Sequence, residues 1–200
     1  MRIVGNQLGH WFDPEQRLFT DVGFIVGPGD LVAVVGPSGS GKSTLLNLIA
    51  GWETPREGTL EVHGVHRISW VFQNPHGIPG RLVLDQAALP YLARGMTRRE
   101  AEAHALVALD AVGLTGSARK RYRDLSGGEA QRLMMARAIG ASPDLLLMDE
   151  PTAQLDPASS LTVIDVLEQL AASGPAVIIA THDQRVRDRC HLIVDLGGER

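Results

Sequence analysis

One cysteine, Cys190, is all the thiol this 200-residue chain has, which excludes an intrachain disulfide and any zinc site built from several thiolates, and fits a reducing compartment. Long apolar runs are missing too. The most apolar stretches, 31–35 and 176–180, fall far short of the ~20 residues a membrane-crossing helix requires, so any membrane role must come through a partner. The first eleven residues lack a basic stretch followed by an apolar run, so no secretory signal is visible and a cytoplasmic location is expected. There is no excess of positive charge either. Nineteen basic against 23 acidic residues give a net −4 with no long run of one sign, and direct nucleic-acid binding is therefore not expected. What the chain does have is 44% hydrophobic residues, enough for one real core.

Short apolar runs alternate with helical patterns, which predicts an α/β layout with a mostly parallel sheet. Strands are expected at 24–26, 31–35, 60–62, 68–72, 145–148, 176–180 and 191–196, and helices at 42–50, 98–112, 127–139 and 158–172. Thr97 followed by Glu100 has the capping-box pattern that fixes a helix start. Between Asn74 and Asp124 the strand-like runs stop, and the segment reads as helices separated by Pro79-Gly80, Gly95 and Gly113 to Gly116. The expected organisation is one domain over 1–200: a core from 1–73 and 125–200 with a helical lobe, 74–124, inserted into it.

The run Gly36-Pro37-Ser38-Gly39-Ser40-Gly41-Lys42-Ser43-Thr44 fits G-x-x-x-x-G-K-[ST], directly after an apolar strand and before a helical pattern. Glycines let the backbone curl so that successive N–H groups face a phosphate. Lys42 then reaches the β and γ phosphates, and Ser43 offers its hydroxyl to Mg²⁺. A bland Gly/Ser turn would match this pattern by chance about 0.002 times over the chain. Residues 145–150 form an apolar strand ending in two adjacent carboxylates, at the sheet edge where parallel folds place ligands. Asp149 can be compensated by Mg²⁺, while Glu150, turned the other way by strand alternation, can polarise an attacking water. On its own such a pair is ordinary turn chemistry; behind a phosphate loop it is not.

Gln73 and His182 each follow an expected strand end, which puts both at the same edge. His63 and His66, three residues apart with no matching ligand cluster, make a poor metal pair. Leu125-Ser126-Gly127-Gly128-Glu129 contains a second capping box, Ser126 to Glu129, but a cap leaves Gly127 and Gly128 unexplained. Glycines in a first helical turn permit close backbone approach, as at an anion site. Two phosphate-binding helix ends with one lysine loop point to a site shared between two copies.

In order along almost the whole chain, this set resembles the ATP-binding-cassette (ABC) ATPases: the lysine loop, Gln73, the signature at 125–129, Asp149-Glu150, the turn Ala153-Gln154-Leu155-Asp156, and His182. The resemblance implies a P-loop core with a mostly parallel sheet, an inserted helical lobe and an antiparallel β subdomain near the N-terminus. It implies ATP and Mg²⁺ as ligands, the metal held by Ser43, Gln73 and Asp149. Two subunits would pack head to tail, each closing Ser126, Gly127 and Gly128 over the other's lysine loop. Glu150 would be the general base, His182 would contact the γ-phosphate, Gln73 would couple to a membrane permease, and Asp156 would link the two sites. Phe12 best matches the family's aromatic platform for adenine, with Trp11 as the rival.

Two departures are visible: Glu129 where many members carry Gln, and Ala153-Gln154 where many carry Ser-Ala or Gly-Asn. The last expected strand lies near the end of the sequence, so the regulatory C-terminal domains of some importers are not expected. Ala87-Ala88-Leu89-Pro90 and Val112-Gly113-Leu114 look like the lipoprotein-releasing, macrolide-export and cell-division group, which implies export or mechanical work at the inner face of the cell membrane. Two other readings compete. A family ATPase acting on nucleic acid or ribosomes usually carries a coiled-coil insertion or a second cassette, for which 200 residues with one P-loop leave no room. A P-loop small-molecule kinase would leave Ser126 to Glu129 and His182 as coincidence.

Overall fold

In the computed structural model, which describes residues 1–197, the chain runs β1 (Arg2–Asp13), β2 (Gln16–Val26), β3 (Leu31–Val35), α1 (Lys42–Ile49), β4 (Glu57–His63), β5 (Ile68–Val71), α2 (Val83–Ala93), α3 (Arg98–Ala111), α4 (Gly127–Gly140), β6 (Leu145–Asp149), α5 (Pro157–Ala172), β7 (Ala176–Ala180), α6 (Gln184–Arg187) and β8 (Leu192–Asp195). Five strands form a parallel sheet in the order β5-β6-β7-β3-β8, and three form an antiparallel sheet in the order β2-β1-β4. The expected α/β core with an N-terminal antiparallel subdomain is therefore the fold observed.

The inner strands β3 and β7, and β6 up to Asp149, are apolar because both their faces are covered. Successive residues alternate between two cores. Leu146, Met148, Val177 and Ile179 face one, built with α2 to α5, while Leu145, Leu147, Ile178 and Ala180 face the other, shared with α1 and the antiparallel sheet. β3 lies between β7 and β8, fourth of the five strands, so the loop that follows it emerges at the sheet's C-terminal edge one strand in from β8.

Small side chains let the helical layer close up. Ala87 and Ala88 of α2 and Ala101, Ala105 and Ala108 of α3 are all buried in one cluster, and α4 packs on both helices and on β5. The capping box expected at Thr97 and Glu100 is formed: each donates to or accepts from the other across the first turn of α3. The helical layer thus continues beyond residue 124 into α4.

The family resemblance implied an antiparallel subdomain here, but the residue pattern itself marked no strand before Phe24, and β1 shows why. Its alternation is broken by register shifts on both sides of Leu8 and again at Trp11, and Gln7 adopts a left-handed φ of 50°. A bulge of this kind puts Leu8, Gly9 and His10 all in buried positions, which erases the period-2 pattern a sequence reader looks for.

Candidate functional site

The phosphate loop spans residues 36–41, between the end of β3 and the first residue of α1. Gly41 is the N-cap of α1, at φ 93°, and a Cβ there would lie 2.9 Å from Cδ1 of Phe19, so a left-handed backbone and close packing both demand glycine. No side chain caps α1, which leaves its first N–H groups to an anion. Pro37, Ser38 and Gly39 are exposed, Gly36 and Thr44 are half-buried, and Ser40 is buried with its hydroxyl unpartnered. The ammonium of Lys42 donates to the carbonyls of Gly36 (2.9 Å) and Pro37 (3.1 Å), folding over its own loop.

From the neighbouring strand ends come the carboxylates. Ser43 Oγ donates to Asp149 Oδ2 at 2.6 Å, a contact that ties β6 to the start of α1. Burial pushes the Asp149 carboxyl up; the neighbouring Glu150 charge adds to this, and the Ser43 hydrogen bond and Lys42 oppose it. A hydroxyl beside a partly desolvated carboxylate is a hard-oxygen donor pair. That suits Mg²⁺, which takes one or two protein oxygens and keeps several waters.

Glu150 lies outside β6, at φ 47°. Its side chain is therefore aimed by a left-handed turn, not by strand alternation as the sequence suggested. A residue with a Cβ in that region stores roughly 1–2 kcal/mol of strain. Its N–H donates to Ala180 O at 2.9 Å, holding the turn against β7. Glu150 Oε1 then lies 2.8 Å from His182 Nδ1, while Oε2 accepts longer contacts from Thr181 Oγ1 and the His182 N–H, both at 3.4 Å. Gln73, exposed, sits two residues past the Val71–Met148 pairing, on the same edge. Gln131 of α4 donates to the preceding carbonyl, Phe72 O, at 3.2 Å.

A clamp that sequence reading missed holds the His182 loop. Thr152 Oγ1 donates to Asp183 Oδ2 at 2.9 Å, and Arg185 grips both oxygens of the same carboxylate, at 2.9 and 2.7 Å. Asp183 N–H donates in turn to Thr181 Oγ1. The only signal was the adjacency of Asp183 to His182. Because Thr152 is buried, Asp183→Ala strands its hydroxyl and should lower the unfolding free energy in urea by about 1–3 kcal/mol. Thr152→Val in that background should recover part of the loss, since neither partner is then left unpaired.

At the start of α4, the second expected capping box is formed: Ser126 Oγ accepts from Glu129 N–H, and Glu129 Oε2 from Ser126 N–H. Glu129 also takes the Ser117 hydroxyl (2.6 Å) and the Lys120 ammonium (2.9 Å), and these partners, Ser117 foremost, hold its carboxyl down at about 2. The departure from Gln at this position thus has a local cause. The two glycines divide. A Cβ at Gly128 would stand 3.2 Å from the Gln154 carbonyl oxygen and 3.1 Å from a Leu155 methyl, so packing within the chain accounts for it. At Gly127 the only close atoms belong to the end of the Gln154 side chain, which can swing away. Asp156 caps α5, accepting from Ala158 and Ser159 N–H.

Phe12 is 64% exposed, whereas Trp11 is covered by the Arg17 guanidinium, 4.7 Å from its ring centre. His63 pairs with Glu61, both exposed. The structure brings together Lys42, Ser43, Asp149, Glu150 and His182. Among the described residues, no hydrogen bond joins Ser126, Gly127 or Gly128 to that group.

Residues 19–153 match the family described as "ABC transporter". The lipoprotein-releasing system ATP-binding protein LolD of Cereibacter sphaeroides is 38% identical, over 88% of this chain and 85% of that protein. The macrolide export ATP-binding/permease protein MacB 1/2 of Paracoccus denitrificans is 35% identical over 92% of this chain, which spans only 30% of that larger protein. Among solved structures, the dimeric post-hydrolysis state of the ATP-binding cassette MJ0796, bound to ADP and Pi, superposes with a TM-score of 0.83 at 27% identity, covering 98% of this chain and 95% of that one.

Proposed function

The chain belongs to the ABC transporter family as an ATP-binding, ATP-hydrolysing subunit, and from that premise we propose how its residues divide the work. Gly36 to Thr44 cradle the triphosphate, with Lys42 exchanging its two loop carbonyls for phosphate oxygens. Ser43 and Asp149, with Gln73 nearby, would hold Mg²⁺, which would supply positive charge beside the triphosphate. Glu150 accepts the proton of the attacking water while His182 fixes that carboxylate and reaches the γ-phosphate. The observation that carries this reading is the Glu150–His182 contact, 2.8 Å, on the same sheet edge as the Ser43–Asp149 pair.

The site is completed by a second copy, head to tail. In support, Ser126 and Gly127 form an exposed helix start, and nothing rigid in their own chain forbids a side chain at Gly127. Asp156, at the cap of α5, links the two sites through the turn it closes. The base stacks on Phe12, whose face is open while that of Trp11 is engaged. No helix of the described residues is long and apolar enough to cross a membrane. Work is delivered through a separate permease at the inner membrane face, with export or mechanical action as the outcome, a reading supported by the match over 85% of an ATP-binding protein of a lipoprotein-releasing system. The sheet core and the helical lobe at 74–124 are the two bodies between which that coupling passes.

Ser126→Arg tests the shared site. Each subunit should still bind ATP with its own lysine loop, but the ATP-dependent dimer should disappear in sedimentation experiments. A dimer formed as readily as by the unmodified chain would sink the two-copy arrangement.

A further inference from the structure

His10 is 1% exposed, yet neither ring nitrogen has a hydrogen-bond partner. Burying unpaired nitrogens costs stability, so what this side chain contributes must come from the ring itself. That ring meets Phe12 edge to face, with centres 5.1 Å apart and planes at 81°, and stacks on Phe19 at 6.4 Å and 28°. Phe19 is the cross-strand partner of His10, and its ring edge is what a Cβ at Gly41 would strike. Three rings therefore run from exposed Phe12 to the residue that precedes Lys42.

We propose that His10 is a positioning residue for the nucleotide base, setting the Phe12 face relative to the phosphate loop; this rests on Phe12 being the base platform. The need for such a residue is local. Register shifts flank His10 on both sides, between Leu8 and His10 and between His10 and Trp11, and a strand with shifting register does not by itself fix where an exposed side chain points. An edge-to-face pair has a preferred geometry and can do so. A platform held in place before binding spares the ligand the cost of ordering it.

The experiment compares ADP with pyrophosphate, each with Mg²⁺, by calorimetry; only the first carries a base. His10→Ala should weaken ADP binding about three- to tenfold, the size of one lost aromatic contact, while pyrophosphate affinity stays within about twofold. His10→Phe restores the ring and should return ADP affinity to within about twofold of the unmodified chain. Should His10→Ala fail to fold, His10→Leu fills the volume without a ring and is expected to show the same ADP-only loss. Phe12→Ala is the control. If it weakens ADP but the ringless His10 variants do not, the positioning role is overturned and the platform stands. If Phe12→Ala also changes nothing, the platform reading falls and takes the proposal with it. Equal loss of ADP and pyrophosphate in the His10 variants would overturn the role as well, because a ring acting on the base cannot alter a ligand that has none.

Discussion

Glu150→Gln should bind ATP and scarcely hydrolyse it, with steady-state turnover falling on the order of 100- to 10,000-fold, the range expected for a lost general base. The substitution is nearly isosteric and sits at a turn fixed by backbone, Glu150 N–H to Ala180 O, so the fold and the left-handed conformation should survive. What is lost is the negative charge that takes a proton from water and that His182 Nδ1 approaches at 2.8 Å. Arrested before hydrolysis, two such subunits should accumulate as an ATP-bound dimer. Phosphate release and sedimentation on the same preparation check both halves. Retained turnover in the purified subunit or its membrane complex would remove Glu150 from the chemistry.

Lys42→Ala should act one step earlier, weakening ATP affinity on the order of 10- to 100-fold, as expected when charge-assisted hydrogen bonds to phosphate are lost. The lysine already contacts its own loop, through Gly36 and Pro37 carbonyls, so part of the damage could lie in loop shape. Lys42→Arg keeps the charge, but a planar fork does not fit a place shaped for a compact ammonium, so it should not restore affinity; full recovery would show that charge alone suffices. Calorimetry distinguishes the cases, and unchanged ATP affinity in Lys42→Ala would count against the loop as the phosphate site.

The central sheet and the lysine loop were legible because their signals are local: β3, β6 and β7 are apolar on both faces, and the loop's spacing is rare. Both capping boxes were legible for the same reason, since a cap is a contact over three residues. β1 was hidden because its bulge breaks the alternation. What aims Glu150 was not legible, because a single left-handed φ just past a strand end takes the residue out of the strand alternation. In the Thr152–Asp183–Arg185 clamp, Thr152 and Asp183 are 31 residues apart and the residue types are common on any surface, so nothing in the linear order marks it. The close packing of Gly128 against the Gln154-Leu155 turn was not legible either, since the signature motif does not announce a contact made within its own chain.

That packing ties the start of α4 to the Gln154-Leu155 turn with no space between them. In evolutionary terms, position 128 and the turn at 154–155 are not free to drift separately: a side chain at the first needs both the Gln154 carbonyl and the Leu155 methyl to give way. The unusual Ala153-Gln154 spelling of the turn should then be inherited together with the helix it abuts, as a single block.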